Sequence, residues 1–562
     1  MPAPIAVSGY TGLTQASQLT LENNQSAPGE VLLMPLTSGA STMSLTTQPN
    51  ATTASPTTGM ELHFYIIGNV GSGTIVITGT DISGNSQVSQ TYHVVAAPFN
   101  SQGYTEFTTK ERWATVGASG IALTSLTPCQ VIVYGSAAGK YLVPITADAE
   151  EKIAKFDPQD KRGILWGSFR ITQLTKGVSL DKWDSALYPD MLWAYYMLIG
   201  STPTVTTIPS SAVSLLAATT KAGTMTLTTS LSTVAPGMFL IFAIANSNVA
   251  TGTITLAGTD INGLSISETI TVPGSNTTVY STKRYASINN SGADKFGTTG
   301  LTTGATIAVT AVFAWQFAWT YDGITNVTPY SACLSLFDGV MGKKLPGTIL
   351  TEGTWDWEKE KEIKFTSKGE ALDYLIVGDA NPTTYPSGTN PFATLAQPTS
   401  LPFPSWPSSF YIDAGAGGTP LTTQDGSMLT FKLTLASGRK WEFAGDTMQR
   451  ASFVKVDTAP KITLDTSMVF QNYKYIVSYF KSNLALILGA TFQGNFLGSY
   501  SGSTYFESVQ WILPVKEDTH KVDPSKNAVQ VAIKDMGEYS LANLGYAYKA
   551  IVVAQQPPTY TV

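Results

Sequence analysis

Residues 73–84 read GTIVITGTDISG, and residues 252–263 read GTITLAGTDING. Eight of the twelve aligned positions are identical, at a spacing of 179 residues. The flanking fragments repeat in the same order. TMSLTT (Thr42–Thr47), ELHFYIIG and TTKERWATV surround the first copy; TMTLTT (Thr224–Thr229), GMFLIFAIA and STKRYASI surround the second. A solenoid would need contiguous copies, and these are separated, so a whole domain of about 100 residues is duplicated. Short alternating runs such as Thr74-Ile75-Val76-Ile77, broken by Ser83-Gly84-Asn85, predict an antiparallel β-sandwich of immunoglobulin-like type in each copy. No Cys…Trp…Cys pattern accompanies it, so the expected likeness to antibody domains is architectural only.

Composition points the same way. Charged residues make up only 13% of the 562 residues while hydrophobic ones reach 43%, and Gly, Ser and Thr fill the difference. That profile favours many short strands joined by turns. The length predicts three or more domains. A net charge of −6 gives no global basic field and argues against tight nucleic-acid binding. Cys129 and Cys333 lie in apolar contexts and read as buried free thiols. The first residues, MPAPIAVSGYTGLTQ, carry neither a cationic start nor a sustained apolar core, so no signal peptide is expected. The longest apolar runs are about half a membrane span.

Between the copies, Leu187, Met191, Tyr195 and Leu198 recur at helical spacing, with Gly200 and Pro203 as stop signals. After the second copy, Thr328–Glu370 reads as strand, turn, strand and a long charged strand. Residues 378–426 are crowded with Pro, Ser, Thr and Gly and predict an extended arm. Strands resume beyond it. The expected division is a segment 1–37 belonging to a central domain or arm, a first sandwich 38–137, a leading central-domain stretch 138–203, an inserted second sandwich 204–314, and a trailing central-domain stretch 315–562. If the leading and trailing stretches form one body, the chain near Gly200 must approach Trp319.

Joined across the insertion, the central pieces read GVSLDKWDSALYPDMLWAYYMLIG, then TPYSACLSLFDGVMGKKLPGTILTEGTWDWEKEKEIKFTSKGE, then SMLTFKLTLASGRKWEFAGDTMQRASFVKVDTAPKITLDTSMVF, ending at LGYAYKAIVVA. This series resembles the tail tube (major tail) proteins of long-tailed bacteriophages. In that family a helix ending in Leu-x-Gly precedes an sLsl-x-DG hairpin, and a late strand ends near GYA-x-K-A-x-x-V. The likeness covers roughly half the chain. It implies a mainly β, β-rich α+β fold: a tail-tube-type β-sandwich or barrel domain with one packed helix, carrying two duplicated Ig-like sandwiches as decorations.

The resemblance further implies a virion structural protein. Copies of the chain would form rings, most often hexameric, stacked into a hollow conduit. DNA would pass through without specific binding, and tape measure and tail terminator or tip proteins would be the other partners. Assembly would take place in the host cytoplasm, with no membrane involved. In such a wall, strands with one apolar and one polar face are needed; Leu429, Phe431, Leu433 and Leu435 alternate with Thr430, Lys432 and Thr434.

Strand alternation over Thr354–Phe365 places Asp356, Glu358, Glu360 and Glu362 on one face, with Trp355, Trp357, Ile363 and Phe365 on the other. The acidic file would face the bore, a neighbouring subunit or plain solvent. Candidate inter-ring contacts are the turn containing Asp338, Lys343 and Lys344, and the arm aromatics Phe392, Phe403, Trp406 and Phe410.

Catalytic signatures are missing. His63, His93 and His520 lie in separate regions, and no paired-His, Cys-cluster, nucleophile-elbow or phosphate-loop pattern occurs. The chain is therefore expected to be no enzyme and to need no cofactor or metal. Asp81 and Asp260, shared by the two repeats, read as turn-forming residues or as calcium ligands. An alternative reading of the whole chain is a glycan-binding or adhesin-like β-sandwich surface protein.

Overall fold

The computed structural model describes residues 15–22, 31–49, 59–68, 71–80, 90–94, 104–109, 112–126, 128–137, 146–156, 172–200, 202–234, 237–245, 252–272, 277–288, 294–321, 330–337, 342–372, 374–377, 401–414, 421–442, 453–456, 458–469, 485–523, 530–537 and 545–558. The fold is mostly β, with several antiparallel sheets in sandwich-like arrangements.

The twelve-residue repeat has a steric explanation. Gly73–Thr80 and Gly252–Thr259 are the equivalent inner strands of two sandwiches. Ile75 and Ile77 in one, and Ile254 and Leu256 in the other, point into the core and are buried. A Cβ on Gly79 would run into the Thr115 carbonyl, and one on Gly258 into the Ser287 carbonyl, so neither position accepts a side chain. The next residue repeats a hydroxyl pair: Thr80 with Thr115 at 2.6 Å, Thr259 with Ser287 at 2.7 Å. Beyond it, Asp260 Oδ1 accepts the backbone N–H groups of Asn262 and Leu264, at 2.8 and 2.9 Å, which makes it the turn-former. Asp81 lies outside the described residues.

Strand order matches between the copies. In the first, Val31–Ser38, Gln130–Ala137, Met60–Ile67 and Tyr104–Thr108 face Thr42–Met43, Thr115–Thr124, Gly73–Thr80 and Gln90–Val94. In the second, Val213–Thr220, Thr306–Val312, Phe239–Ala245 and Thr277–Tyr280 face Thr224–Thr226, Lys295–Thr299, Gly252–Thr259 and Ser265–Val272. Two expected borders shift. Val31–Ser38, placed ahead of the first sandwich by sequence, pairs with Gln130–Ala137 inside it. Thr204–Ile208, placed in the second sandwich, pairs instead with Ala314–Tyr321.

Of the other strands, Arg439–Glu442 and Phe453–Val456 pair with each other, and the rest form a 17-stranded sheet that does not close into a barrel among the described residues. It curls around the helix Leu192–Ile199, every residue of which is buried. A helix that is apolar on all sides has to be enclosed. Tyr195 packs against Trp319, Trp355 and Trp511, with ring centroids 5.2, 5.6 and 5.8 Å away, so strands from three regions of the sheet meet on it. The helical spacing predicts a start near Leu187. The helix is central, and Leu187–Met191 instead form the turn that leads into it.

Chain pieces on either side of the second sandwich make one body. Thr172–Ala186 pairs with Lys364–Ala371, and Ala314–Tyr321 lies between Thr204–Ile208 and Tyr548–Ala554. The pairing Thr204↔Ala318 brings together the chain entering and leaving the insertion, as one body requires.

An enclosed helix with no basic residue in its last turn leaves its C-terminal carbonyls without water. Arg439, 242 residues away in sequence, donates Nη1–H to the Met197 carbonyl at 2.8 Å and Nη2–H to the Ile199 carbonyl at 3.1 Å. Gly200 ends the helix at φ 77°, and a Cβ there would collide with this guanidinium. Burial pulls the Arg439 pKa below its ordinary value, while nearby Tyr548 and Tyr321 act in the opposite sense. Arg439→Met strips two buried carbonyls of a charged donor and is expected to destabilise the body by about 3 kcal/mol. Arg439→Lys, which lacks the fork, should recover only a fraction of this. Urea unfolding followed by near-ultraviolet circular dichroism of the tryptophan cluster measures both.

Candidate functional site

The charged segment does not run as one strand. Gly342–Glu358 ends at Glu358, a turn covers residues 359–361, and Lys364–Ala371 returns antiparallel. Glu360 sits in that turn at φ 69°. The expected file of four carboxylates is therefore split. Asp356 is half-buried on the strand, Glu358 closes it, Glu360 is on the turn, and Glu362 bridges to Pro404. Lys361 pairs with Glu358 at 2.6 Å, which holds the turn together. The opposite face behaves as read from sequence: Trp355, Trp357, Ile363 and Phe365 are all buried.

The arm also departs from expectation where it is described. Ser409–Ala414 pairs with Leu486–Tyr500 and is an integral strand of the large sheet. Phe403 and Phe410 are buried in the chain's own core. Phe410 packs on Trp357 at 4.6 Å and on Phe431 at 5.4 Å. Neither is available as an inter-ring anchor. Trp406 is, at 81% exposed. Phe392 and Asp338 lie outside the described residues.

Two candidate groups thus meet. The turn at 359–362 and the segment Pro404–Phe410 form the walls of a cleft of about 670 Å³. Gln424 and Asp425 also line it. The Trp357 indole N–H donates to the Ser405 carbonyl at 2.8 Å and fixes the wall that carries Trp406.

Lys344, expected at a ring-to-ring contact, is buried inside the chain and ion-paired with Glu61 of the first sandwich, itself buried. Arg112 approaches the same carboxylate at 3.5 Å. Lys343 lies over the Tyr374 ring at 5.7 Å. The second sandwich docks through the matching arginine of its repeat. Arg284 bonds to the carbonyls of Gly237 and Leu497 and to Gln555 at 3.3 Å. Phe313, Leu497 and Val553 share its core. Sequence reasoning passed over both arginines, although the aligned Lys-x-Arg-Trp and Lys-Arg-Tyr fragments already marked equivalent positions.

Glu507, fully buried, accepts Asn495 Nδ2–H at 2.7 Å and Gln555 Nε2–H at 2.8 Å. Asp190, just ahead of the helix, has Oδ1 shut off from solvent. Burial raises its pKa to about 7, with its own backbone hydrogen bond opposing and the Glu507 charge adding to the rise. The Glu517 carboxyl is likewise raised to about 7 by burial, and lies 3.2 Å from His520. His63 is buried in the first sandwich and His93 lies on Gln90–Val94, so the three histidines stay apart. Among the described residues no group of three or more His, Cys, Asp or Glu is placed to hold a metal ion. Among them, too, no helix is long and apolar enough to cross a membrane.

No protein-family model matches the chain, and no curated protein matches it. Among solved structures it is similar to the PBSX exported protein XepA, at 10% identity over 54% of this chain and 94% of that one, with a TM-score of 0.10. It is also similar to VP2 of infectious bursal disease virus in a subviral particle, at 8% identity over 66% of this chain and 74% of that one, with a TM-score of 0.07.

Two measurements check the buried charges. Lys344→Met leaves Glu61 buried with Arg112, at 3.5 Å, as its ion-pair partner among the described residues and is expected to cost about 3 kcal/mol in urea unfolding of the isolated chain. Pairing it with Glu61→Met should recover most of that loss. The Asp190 carboxyl binds its proton more tightly folded than unfolded, where its pKa is about 3.9. Its contribution is fully present below about pH 4 and is lost as pH rises through 7. Asp190→Asn removes that loss, so its melting temperature relative to the parent should climb between about pH 4 and pH 8.

Proposed function

We propose that this chain is a structural virion protein, a tail tube subunit that self-assembles into stacked rings and works without catalysis. The observation that carries the reading is the central body. Strands and a helix from ahead of the second sandwich combine with strands from behind it in one open sheet, in the element order that the tube resemblance implies. The two sandwiches would then decorate the outside of the tube.

An open sheet presents unpaired backbone groups at its rim, which proteins cover or block. Among the described residues, Thr204–Ile208 pairs with Ala314–Tyr321 on one side and with no strand on the other. Thr204 and Thr206 are exposed. Prolines fall only at its two ends, Pro203 and Pro209, and no charged residue lies within it, charge being a device by which a rim is kept from pairing. A second copy adding a strand here would extend the sheet across the subunit border, and a ring of copies would remove the edge altogether.

Electron microscopy of the concentrated, purified chain tests the reading. Rings or tubes are expected, and a parent chain that stays monomeric throughout would count against it. Deleting residues 378–426 is a poor control, because it removes the sheet strand Ser409–Ala414. The double variant Thr204→Lys/Thr206→Lys is a cleaner one. It should keep the parent's circular dichroism and lose ring formation, since charge on an edge blocks strand addition.

A further inference from the structure

The geometry points to a carbohydrate-binding cleft on the central body, built on Trp406 and taking a neutral pyranose oligosaccharide. The inference does not depend on the tube reading. It starts from a contrast within one short segment. Phe403 and Phe410 turn inward and are buried, whereas Trp406 between them stands 81% exposed. Folding gives no reason to leave the largest apolar side chain in water.

Nor is the exposed ring on a loose tip. The Phe403 N–H donates to the Leu187 carbonyl at 2.9 Å, and the Ile363 N–H donates to the Phe403 carbonyl at 3.3 Å. Glu362 bridges to Pro404, and the buried Trp357 indole holds the Ser405 carbonyl. These anchors precede the tryptophan, and the pairing of Ser409–Ala414 with Leu486–Tyr500 holds the chain after it, so its position is set before any ligand arrives, which lowers the ordering cost of binding.

The rim supplies what a sugar needs. Glu360 and Glu362 offer acceptors, Lys359 and Lys361 offer donors, and the Gln424 amide offers both, all around one cleft. A pyranose has an apolar C–H face that covers an indole and equatorial hydroxyls that donate and accept along its edge. At about 670 Å³ the cleft lies within the size range of small-ligand sites, and a lining of Trp357, Trp406 and Phe410 with a few polar groups fits that pattern. The hydroxyl of Ser408, another lining residue, is buried without a hydrogen-bond partner. A cationic ligand would also favour an indole face, but it would meet Lys359 and Lys361 on the same lip. An anionic sugar would meet Glu360 and Glu362.

Isothermal titration of the full chain with maltohexaose, cellohexaose and chitohexaose tests the inference. At least one should bind. Trp406→Ala should weaken that binding roughly tenfold or more without lowering the melting temperature, because the side chain is exposed. Trp406→Phe, which keeps a smaller platform, should fall between the two. Glu362→Gln keeps an acceptor, and its effect should be smaller than that of Trp406→Ala. Absence of binding by all three sugars up to about 10 mM would overturn the inference. So would a Trp406→Ala chain that binds as the parent does. Loss of self-association in Trp406→Ala, with no sugar bound by the parent, would assign the cleft to a second copy of the chain and overturn it as well.

Discussion

A single guanidinium makes the central body possible. The helix Leu192–Ile199 has no polar face, and its enclosure by the sheet takes its final carbonyls out of water. Unmet, each would cost about as much as a hydrogen bond returns. Arg439 meets two of them with one planar fork, and Gly200 supplies the left-handed backbone and the space that the fork occupies. The Arg439–Glu442 strand is itself tied to the long strand Gly342–Glu358 by the Trp441 indole, which donates to the Gly347 carbonyl at 2.8 Å. The link therefore joins chain segments on both sides of the inserted sandwich. Apolar packing around Tyr195 favours enclosure of the helix, and the arginine removes the polar penalty that enclosure creates.

The two sandwiches are held by the same device used in different ways. Arg112 and Arg284 each precede the buried aromatic of their repeat, Trp113 and Tyr285. In the first copy the arginine joins Glu61, whose other partner is Lys344 of the body, so the attachment is ionic. In the second the arginine reaches a backbone carbonyl of the body, and apolar side chains complete the contact. Duplication placed the same cation at both junctions, and each junction was then completed by what the body offered there.

The repeat was legible because its glycines and hydroxyls answer to steric and hydrogen-bond demands internal to one sandwich. Gly79 and Gly258 are required whatever surrounds the domain. The outcome at residues 354–365 was not legible, since the acidic residues keep their two-residue spacing from Asp356 through Glu362 while the backbone turns at 359–361. Only the apolar set, Trp355 to Phe365, kept its face, because burial lies on both arms of the hairpin. Among Phe403, Trp406 and Phe410, nothing local distinguishes inward from outward. The inward position of Phe410 follows from Trp357, Phe431 and Phe492, which are distant in sequence. Arg439 was missed for the same reason: in ASGRKWEF it reads as an ordinary charged hairpin residue.

How the insertion is accommodated bears on how the protein can work. A domain of about 100 residues placed between a helix and a strand separates its ends unless something rejoins them. Here Thr204–Ile208 and Ala314–Tyr321 zip together directly at the base, and Tyr548–Ala554 continues the sheet on the other side. Phe313, at the exit of the sandwich, packs on Tyr505 of the long hairpin with ring centroids 5.8 Å apart. The Arg284 contact to the Leu497 carbonyl closes the same junction from another side. Among the described residues, sheet pairing, apolar core and a charged donor all join the domain to the body at its base. The turn at 260–264, where Ile261 and Leu264 stand exposed, lies beside this junction: a Cβ on Gly237 would run into the Ile261 side chain, and the Gly237 carbonyl accepts the Arg284 Nε–H.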